Sequence, residues 1–392
     1  MQNLNYILLE KINLLLKQYF KDQKVSEVLD GFETKSIPNH RIEQRMIIDR
    51  AITFAKKKLE GDDYSRFQLE IVKVLAEGDN LNMAEEILLT SISEDHSELY
   101  YAESLLAMAD ILLRKSFWSN SNNLIDEAKE VFTKLDNKIG LAKCENLYGT
   151  SYGERGEVQL AKNHFLKGID LLKNSVDEKL EAELETTLAI IENICGNLDV
   201  SKEHFYKALH TFEKLNERKR IAELNHNIGM LYLELEEYEK AVNEFDKGID
   251  VATKGNFKTI LSISYLGKAN ALLYLEDFNN TAEYCYKAMD IAINIEDKLT
   301  IADVYKVMGI LERKLNHYNT SESYFQISLR LNKELGNKLN SAESAYEIAL
   351  LYDDLNNDEQ KTFWLNGSLK YYKNINAAEK INLIEKMLEP AN

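Results

Sequence analysis

The chain has 392 residues, a net charge of −17 at pH 7 and a hydrophobic content of 45%, enough to bury a substantial core. That excess of negative charge repels phosphate backbones and anionic membranes, so nucleic-acid and membrane partners are disfavoured. Only two prolines, Pro38 and Pro390, and sixteen glycines interrupt the length, which leaves helix free to run almost everywhere.

From the N-terminus, a first helix is expected over 3–20. Glu10, Lys11 and Lys17 break its apolar run and no small-residue cleavage site follows, so it reads as neither a signal peptide nor a membrane span. GFETKSIPNH, 31–40, gathers Gly, Pro and polar residues and is a candidate hinge. The helix before it is free either to pack on the rest of the chain or to swing. A second helix is expected over 41–60 and completes an N-terminal segment, 1–60. The basic run Lys56-Lys57-Lys58 reads as a solvated face. Residues 61–97 read as a degenerate helical hairpin, with Ala84 and Leu88 at the small and large positions of its second helix.

From residue 98 a period of forty residues takes over. One register holds Ala109, Gly149, Ala189, Gly229, Ala269, Gly309 and Ala349. Twelve residues on it holds Ser121, Ala161, Ser201, Ala241, Thr281, Ser321 and Lys361, and sixteen on it holds Ile125, Phe165, Phe205, Phe245, Cys285, Phe325 and Leu365. Nineteen on, it holds Ala128, Gly168, Ala208, Gly248, Ala288, Ser328 and Ser368. Self-similarity at such a period signals stacked helical hairpins, each unable to bury its apolar face alone. Small residues belong where two helix backbones cross closely, and the large apolar residue fills the space beside the crossing. The layout is seven full repeats over 98–377, and 378–392 reads as a C-terminal capping helix ended by Pro390.

In the repeat centred on Gly229, the set Ile228, Gly229, Tyr232, Ala241, Phe245, Gly248 resembles the tetratricopeptide repeat (TPR). The first repeat departs with Ile125 and the last with Lys361. Most members repeat every 34 residues, so the 40-residue period here resembles a long variant with longer helices. It looks like the repeats of bacterial peptide-sensing regulators and of animal polarity adaptors. The resemblance implies an all-α, right-handed superhelical solenoid whose first helices, A, line a concave wall.

No chemistry-bearing constellation stands out. The sequence has no glycine-rich phosphate loop, no Cys-x-x-Cys and no His-Glu-x-x-His, and no cofactor is called for. Cys144, Cys195 and Cys285 are far apart and odd in number, and read as reduced core thiols of a cytosolic protein. His164 and His204 share one repeat phase, too few ligands for zinc, and repeat equivalence explains them.

By the resemblance, the inward positions of the A helices carry an apolar middle centred on Met230, Leu266 and Tyr274, with Asn227 and Asn270 able to hold a ligand backbone. A basic knot of Lys306, Arg313 and Lys314 lies on one side, and an acidic stretch on the other. An apolar floor with charged rims suits a peptide or a partner helix. The alternative is that Leu266 or Leu273 packs between repeats instead. Lys143 and Asn227 fit a carboxylate-gripping clamp in type, but the contiguous Lys/Asn set is missing, which argues against chaperone tails. The expected function is therefore a non-enzymatic cytoplasmic scaffold for a protein or peptide. The second reading is a peptide-sensing bacterial regulator whose N-terminal helices engage a response regulator or transcription factor. The sequence leaves the oligomeric state open.

Overall fold

The structure is a computed structural model that describes residues 2–20, 28, 40–78, 80–94, 97–115, 117–155, 157–173, 177–374 and 378–389. Those residues form nineteen α-helices and no strand. Four helices come first: α1 (Gln2–Tyr19), α2 (His40–Lys56), α3 (Gly61–Glu77) and α4 (Leu81–Ser93). Seven pairs follow: α5 (Glu98–Arg114) with α6 (Trp118–Lys134), α7 (Lys138–Glu154) with α8 (Val158–Leu172), α9 (Glu178–Ile194) with α10 (Leu198–Lys214), α11 (Arg218–Glu234) with α12 (Tyr238–Gly255), α13 (Lys258–Tyr274) with α14 (Phe278–Asn294), α15 (Lys298–Lys314) with α16 (Tyr318–Glu334), and α17 (Lys338–Asp354) with α18 (Asp358–Asn374). Last is α19 (Ala378–Leu388). The chain divides into two compact units, Met1–Leu184 and Glu185–Asn392, with the boundary inside α9. No described helix is long and apolar enough to cross a membrane.

In the first unit, α1 is packed rather than swung away. Its Ile12 and Leu16 are fully buried in one core with Ile47, Ala51, Phe67, Ile71 and Leu75. Tyr19 meets Phe67 edge-on at 5.2 Å, and Lys11 pairs with Glu77 at 2.8 Å. Ala84 and Leu88 of α4 lie in the same core with no exposed surface. The proposed hinge lies outside the described residues except for His40, and so does Pro390.

The forty-residue period resolves into two halves of twenty: a helix, most often of seventeen residues, and then a three-residue turn. From Gly196 to Asn356 the turn is the same between and within pairs. After α11, Glu236 donates its N–H to the Leu233 carbonyl at 3.0 Å and Glu237 donates to the Tyr232 carbonyl at 2.9 Å. These bonds satisfy orphan carbonyls of the helix end and require a left-handed residue at the middle position. That residue recurs every twenty positions from Gly196 to Asn356, and Gly196 and Gly336 are its only glycines in that span. At two of these turns the third residue is an aspartate that also caps the next helix: the carboxylates of Asp277 and Asp297 accept from the N–H groups of Asn280 and Thr300.

Packing at the small positions is tight. A Cβ built on Gly229 would stand 2.6 Å from the Phe245 ring, one on Gly149 2.4 Å from Phe165, and one on Gly309 2.5 Å from Phe325. Where alanine replaces glycine, the partner is Ile125, Cys285 or Leu365, smaller than phenylalanine, with Phe205 the exception. The hydroxyls at the +12 position are more than small. Ser121, Ser201 and Ser321 donate to the carbonyls of Ala109, Ala189 and Gly309 at 2.8–2.9 Å, tying the second helix to the first at the crossing.

One expectation is corrected. Cys144 and Cys285 are buried, and burial pushes both thiols up to about 12, but Cys195 is exposed. It directly follows α9 at the turn phase, where the chain faces solvent, rather than at a crossing.

Gly229→Ala is expected to cost about 1–3 kcal/mol by overpacking. Adding Phe245→Ile, which mimics the Ala109/Ile125 pair, should return part of that loss in a double-mutant cycle of urea midpoints; strict additivity would refute the pairing. Glu276, at φ 59°, is a strained turn residue. Glu276→Gly should stabilise the fold by about 0.5–1 kcal/mol, seen as a higher melting temperature.

Candidate functional site

The candidate site lies wholly in the second unit. There α11, α13, α15 and α17, the first helices of successive pairs, pack on one another and form a wall. Polar side chains cross it at separations of 34 to 41 residues, from one first helix to the next.

Met230 on α11 and Tyr274 on α13 stand out from this wall, 36% and 52% exposed. Tyr274 stacks on Tyr238 at 4.8 Å with the rings 5° from parallel, so its exposed ring is fixed in orientation. Burial, and after it the charge of Glu347, pushes its phenol up. Asn227 and Asn270 are partly buried, and among the described residues neither amide has a hydrogen-bond partner. Leu266 is partly buried and packs against the core that Ala269, Leu273 and Leu311 share. Leu273, 1% exposed, belongs to that core and not to the wall surface. His226, beside Asn227, packs on Phe245 at 5.6 Å, and burial pushes its imidazole down to about 4. It is therefore uncharged at neutral pH.

The basic knot is not free. Lys306 pairs with Glu343 and lies 3.6 Å from Asp303. Arg313 reaches Glu347 at 3.3 Å and Asp354 at 3.2 Å. Burial opposes the Lys306 charge, but Glu343 and Asp303 overcome it and hold the ammonium up. Burial raises the Glu347 and Asp303 carboxyls despite the same cations. Two cations thus face four carboxylates, and this end of the wall is a closed ionic network instead of a basic rim. Lys314 alone of the three is exposed and unpaired. Sequence reasoning missed Glu343 and Glu347 as the partners; opposite charges spaced by 37 and 34 residues on successive first helices were the available signal.

The shared phase of His164 and His204 has a structural cause. In the first unit, His164 bonds through Nδ1 to buried Glu145 at 2.7 Å, and Lys129 and Lys167 reach the same carboxylate at 2.9 Å. In the second, His204 and Lys207 bond to buried Glu185. Each pair links positions 19 residues apart. The first unit also holds a cleft of about 310 Å³ among α2, α3 and α4, and the ion pairs Arg45–Glu86 and Lys56–Glu94 are part of its lining. Lys56 is thus engaged rather than simply solvated.

The chain is similar to known proteins as follows. The tetratricopeptide repeat profile matches residues 180–254. No curated protein sequence matches the chain. Among solved structures, a Rap protein complexed with competence and sporulation factor has a TM-score of 0.65 at 15% identity, covering 95% of this chain and 99% of that one. Aspartyl phosphate phosphatase F from Bacillus subtilis has a TM-score of 0.60 at 14% identity, covering 93% of each chain. The Rap conjugation gene regulator of plasmid pLS20, in complex with the Phr* peptide, has a TM-score of 0.59 at 14% identity, covering 96% of each. At these identities the likeness is one of fold.

Burial alone would raise the Glu145 and Glu185 carboxyls, but the cations beside them hold both below their ordinary value of 4.5. Their contribution to stability is therefore present above that value and lost as pH falls through the lower folded value. A Glu145→Gln/Glu185→Gln variant should melt lower than wild type at pH 7 and show a flatter decline of melting temperature from pH 5 to pH 3. Parallel curves would count against the two clusters.

Proposed function

We propose that the chain is a non-enzymatic interaction module that binds a short peptide on the α11–α13–α15 wall of its second unit. The observation that carries this is the contrast along the wall: Met230 and Tyr274 are exposed beside the unpartnered amides of Asn227 and Asn270, while the neighbouring charges are closed on one another. Exposed apolar surface with free backbone-type hydrogen-bonding groups is what an extended peptide needs. Leu266 forms the floor between them, and Lys306, Arg313 and Lys314 close the site at the α15 end. The similarly folded regulator bound to the Phr* peptide supports this reading. The reading places the protein in the bacterial cytoplasm, where its free thiols stay reduced.

A second reading, a peptide-sensing regulator, is favoured by one feature of the first unit. Met46 on α2 is 40% exposed, an apolar side chain that a protein partner such as a response regulator or transcription factor would cover. One of the similar folds is named a phosphatase. Among the described residues no group of three His, Cys, Asp or Glu is placed to hold a metal ion.

The test is a pool of random synthetic heptapeptides passed over immobilised wild type and over Met230→Glu/Tyr274→Glu. Both positions are exposed, so the variant should keep its helical circular dichroism. Peptides should be retained by wild type and lost from the variant. Retention by neither, or equal retention by both, would overturn the site.

A further inference from the structure

We propose that the cleft of the first unit among α2, α3 and α4 binds a free peptide of about three residues, with its ammonium between Asp49 and Glu86 and its carboxylate on Lys57. The charges that line the cleft are unevenly shared along it. At one end a single cation serves two carboxylates: the Arg45 guanidinium meets Asp49 at 2.9 Å and also Glu86. At the other end two cations stand beside one carboxylate. Lys56 pairs there with Glu94 at 2.6 Å, and Lys57, exposed, has no ion-pair partner among the described residues. Glu94 is further occupied by the amide of Gln68, itself 2% exposed, at 3.1 Å. The described lining thus balances its charges as a whole, but leaves a negative surplus at the Asp49 end and a positive surplus at the Lys57 end. The last carbonyls of α2, which would offset that positive surplus, are taken by the N–H groups of Lys57, Lys58 and Leu59 at 2.8–3.2 Å.

A ligand of one sign is drawn to one end of this cleft and repelled by the other. A molecule with an ammonium at one end and a carboxylate at the other is matched at both, and in one direction only. Asp49 and Lys57 lie eight residues apart, about 12 Å at the helical rise. Three extended residues span about 10–11 Å. Between the charged ends, Ile52 and Ile87 offer apolar contact. The hydroxyls of Thr53 and Thr90 stay able to accept: Thr90 donates to the Glu86 carbonyl at 3.2 Å, and Thr53 has no partner among the described residues. These groups suit the side chain and the N–H groups of a short peptide. The volume of about 310 Å³ lies at the small end for ligand sites, as so short a peptide requires. No residue of the second unit takes part, so the site stands apart from the peptide surface proposed above.

The test is a calorimetric titration of the full chain with the tripeptide Ala-Ile-Ala, with its N-acetylated form and with its C-amidated form. The unblocked tripeptide should bind with a Kd at or below about 1 mM. Blocking either end should weaken it by about three- to fivefold. Lys57→Ala should weaken the unblocked peptide and abolish its advantage over the amidated form, and Asp49→Asn should abolish its advantage over the acetylated form. Both side chains are exposed, so both variants should keep their helical circular dichroism. Met230→Glu/Tyr274→Glu should bind the tripeptide as wild type does. Equal binding of blocked and unblocked forms, no binding at about 10 mM, or an affinity that neither Lys57→Ala nor Asp49→Asn changes would overturn the inference and leave the second-unit reading standing. Loss of binding in Met230→Glu/Tyr274→Glu would overturn it as well, by assigning the tripeptide to the second unit.

Discussion

The close crossing of the two helices in each pair is the constraint on which the other features depend. At Gly149, Gly229 and Gly309 the second helix comes so near that a methyl group would enter the phenylalanine ring set against it. The absence of a side chain leaves room for the ring close to the backbone, and the ring in turn fixes how far apart the helices stand. Phe245 shows how far this coupling reaches: it is closed in by Gly229 on its own pair and by Gly267 on the next, where a Cβ would stand 2.5 Å away. One fully buried ring therefore sets both the spacing within a pair and the spacing between pairs. Close packing at interior density leaves it no slack to do otherwise.

With that spacing fixed, the uniform turn follows. Each helix must stop where the next crossing begins, and a left-handed residue every twenty positions stops it. That glutamate, asparagine and aspartate occupy most of these positions instead of glycine is a local strain that packing on either side maintains. The wall of first helices is the next consequence. Its helices stand near enough for long polar side chains to bridge from one to the next, and so Lys306 and Arg313 find carboxylates on α17. Between α11 and α13, where the side chains are shorter or apolar, the polar contact is the 3.5 Å approach of Ser264 Oγ to His226 Nδ1, and Met230 and Tyr274 stay exposed.

The repeat made the fold legible, because a crossing that tolerates only Gly or Ala leaves a mark at every period. The register alone places Gly229 on one helix and Ala241 and Phe245 on the facing one. The core of α4 was legible for the same reason, through Ala84 and Leu88. Of the proposed site, Met230 and Tyr274 lie on an inward register where an apolar residue is either core or exposed, and both are exposed. The surface was not legible at Leu273, on an adjacent register, which turned into the core. Nor was it legible at Lys306 and Arg313: their charge was visible, but its neutralisation depends on Glu343 and Glu347, which reach them across a helix-to-helix gap that sequence spacing does not measure.

The sequence by itself determined the helical hairpin, its forty-residue period and which residues meet at each crossing, because those follow from side-chain volume at fixed spacing. Only the tertiary structure decided which polar groups are spent on one another. Charge pairing depends on distances of a few ångströms between side chains on separate helices, and two lysines on the same helix, α15, end up closed, as at Lys306, or open, as at Lys314. The tertiary structure likewise decided that Cys195 faces solvent and that α1 is buried against α3, since both outcomes rest on which face a neighbouring helix covers. The surface proposed to hold a peptide is what remains when those pairings and contacts have been made.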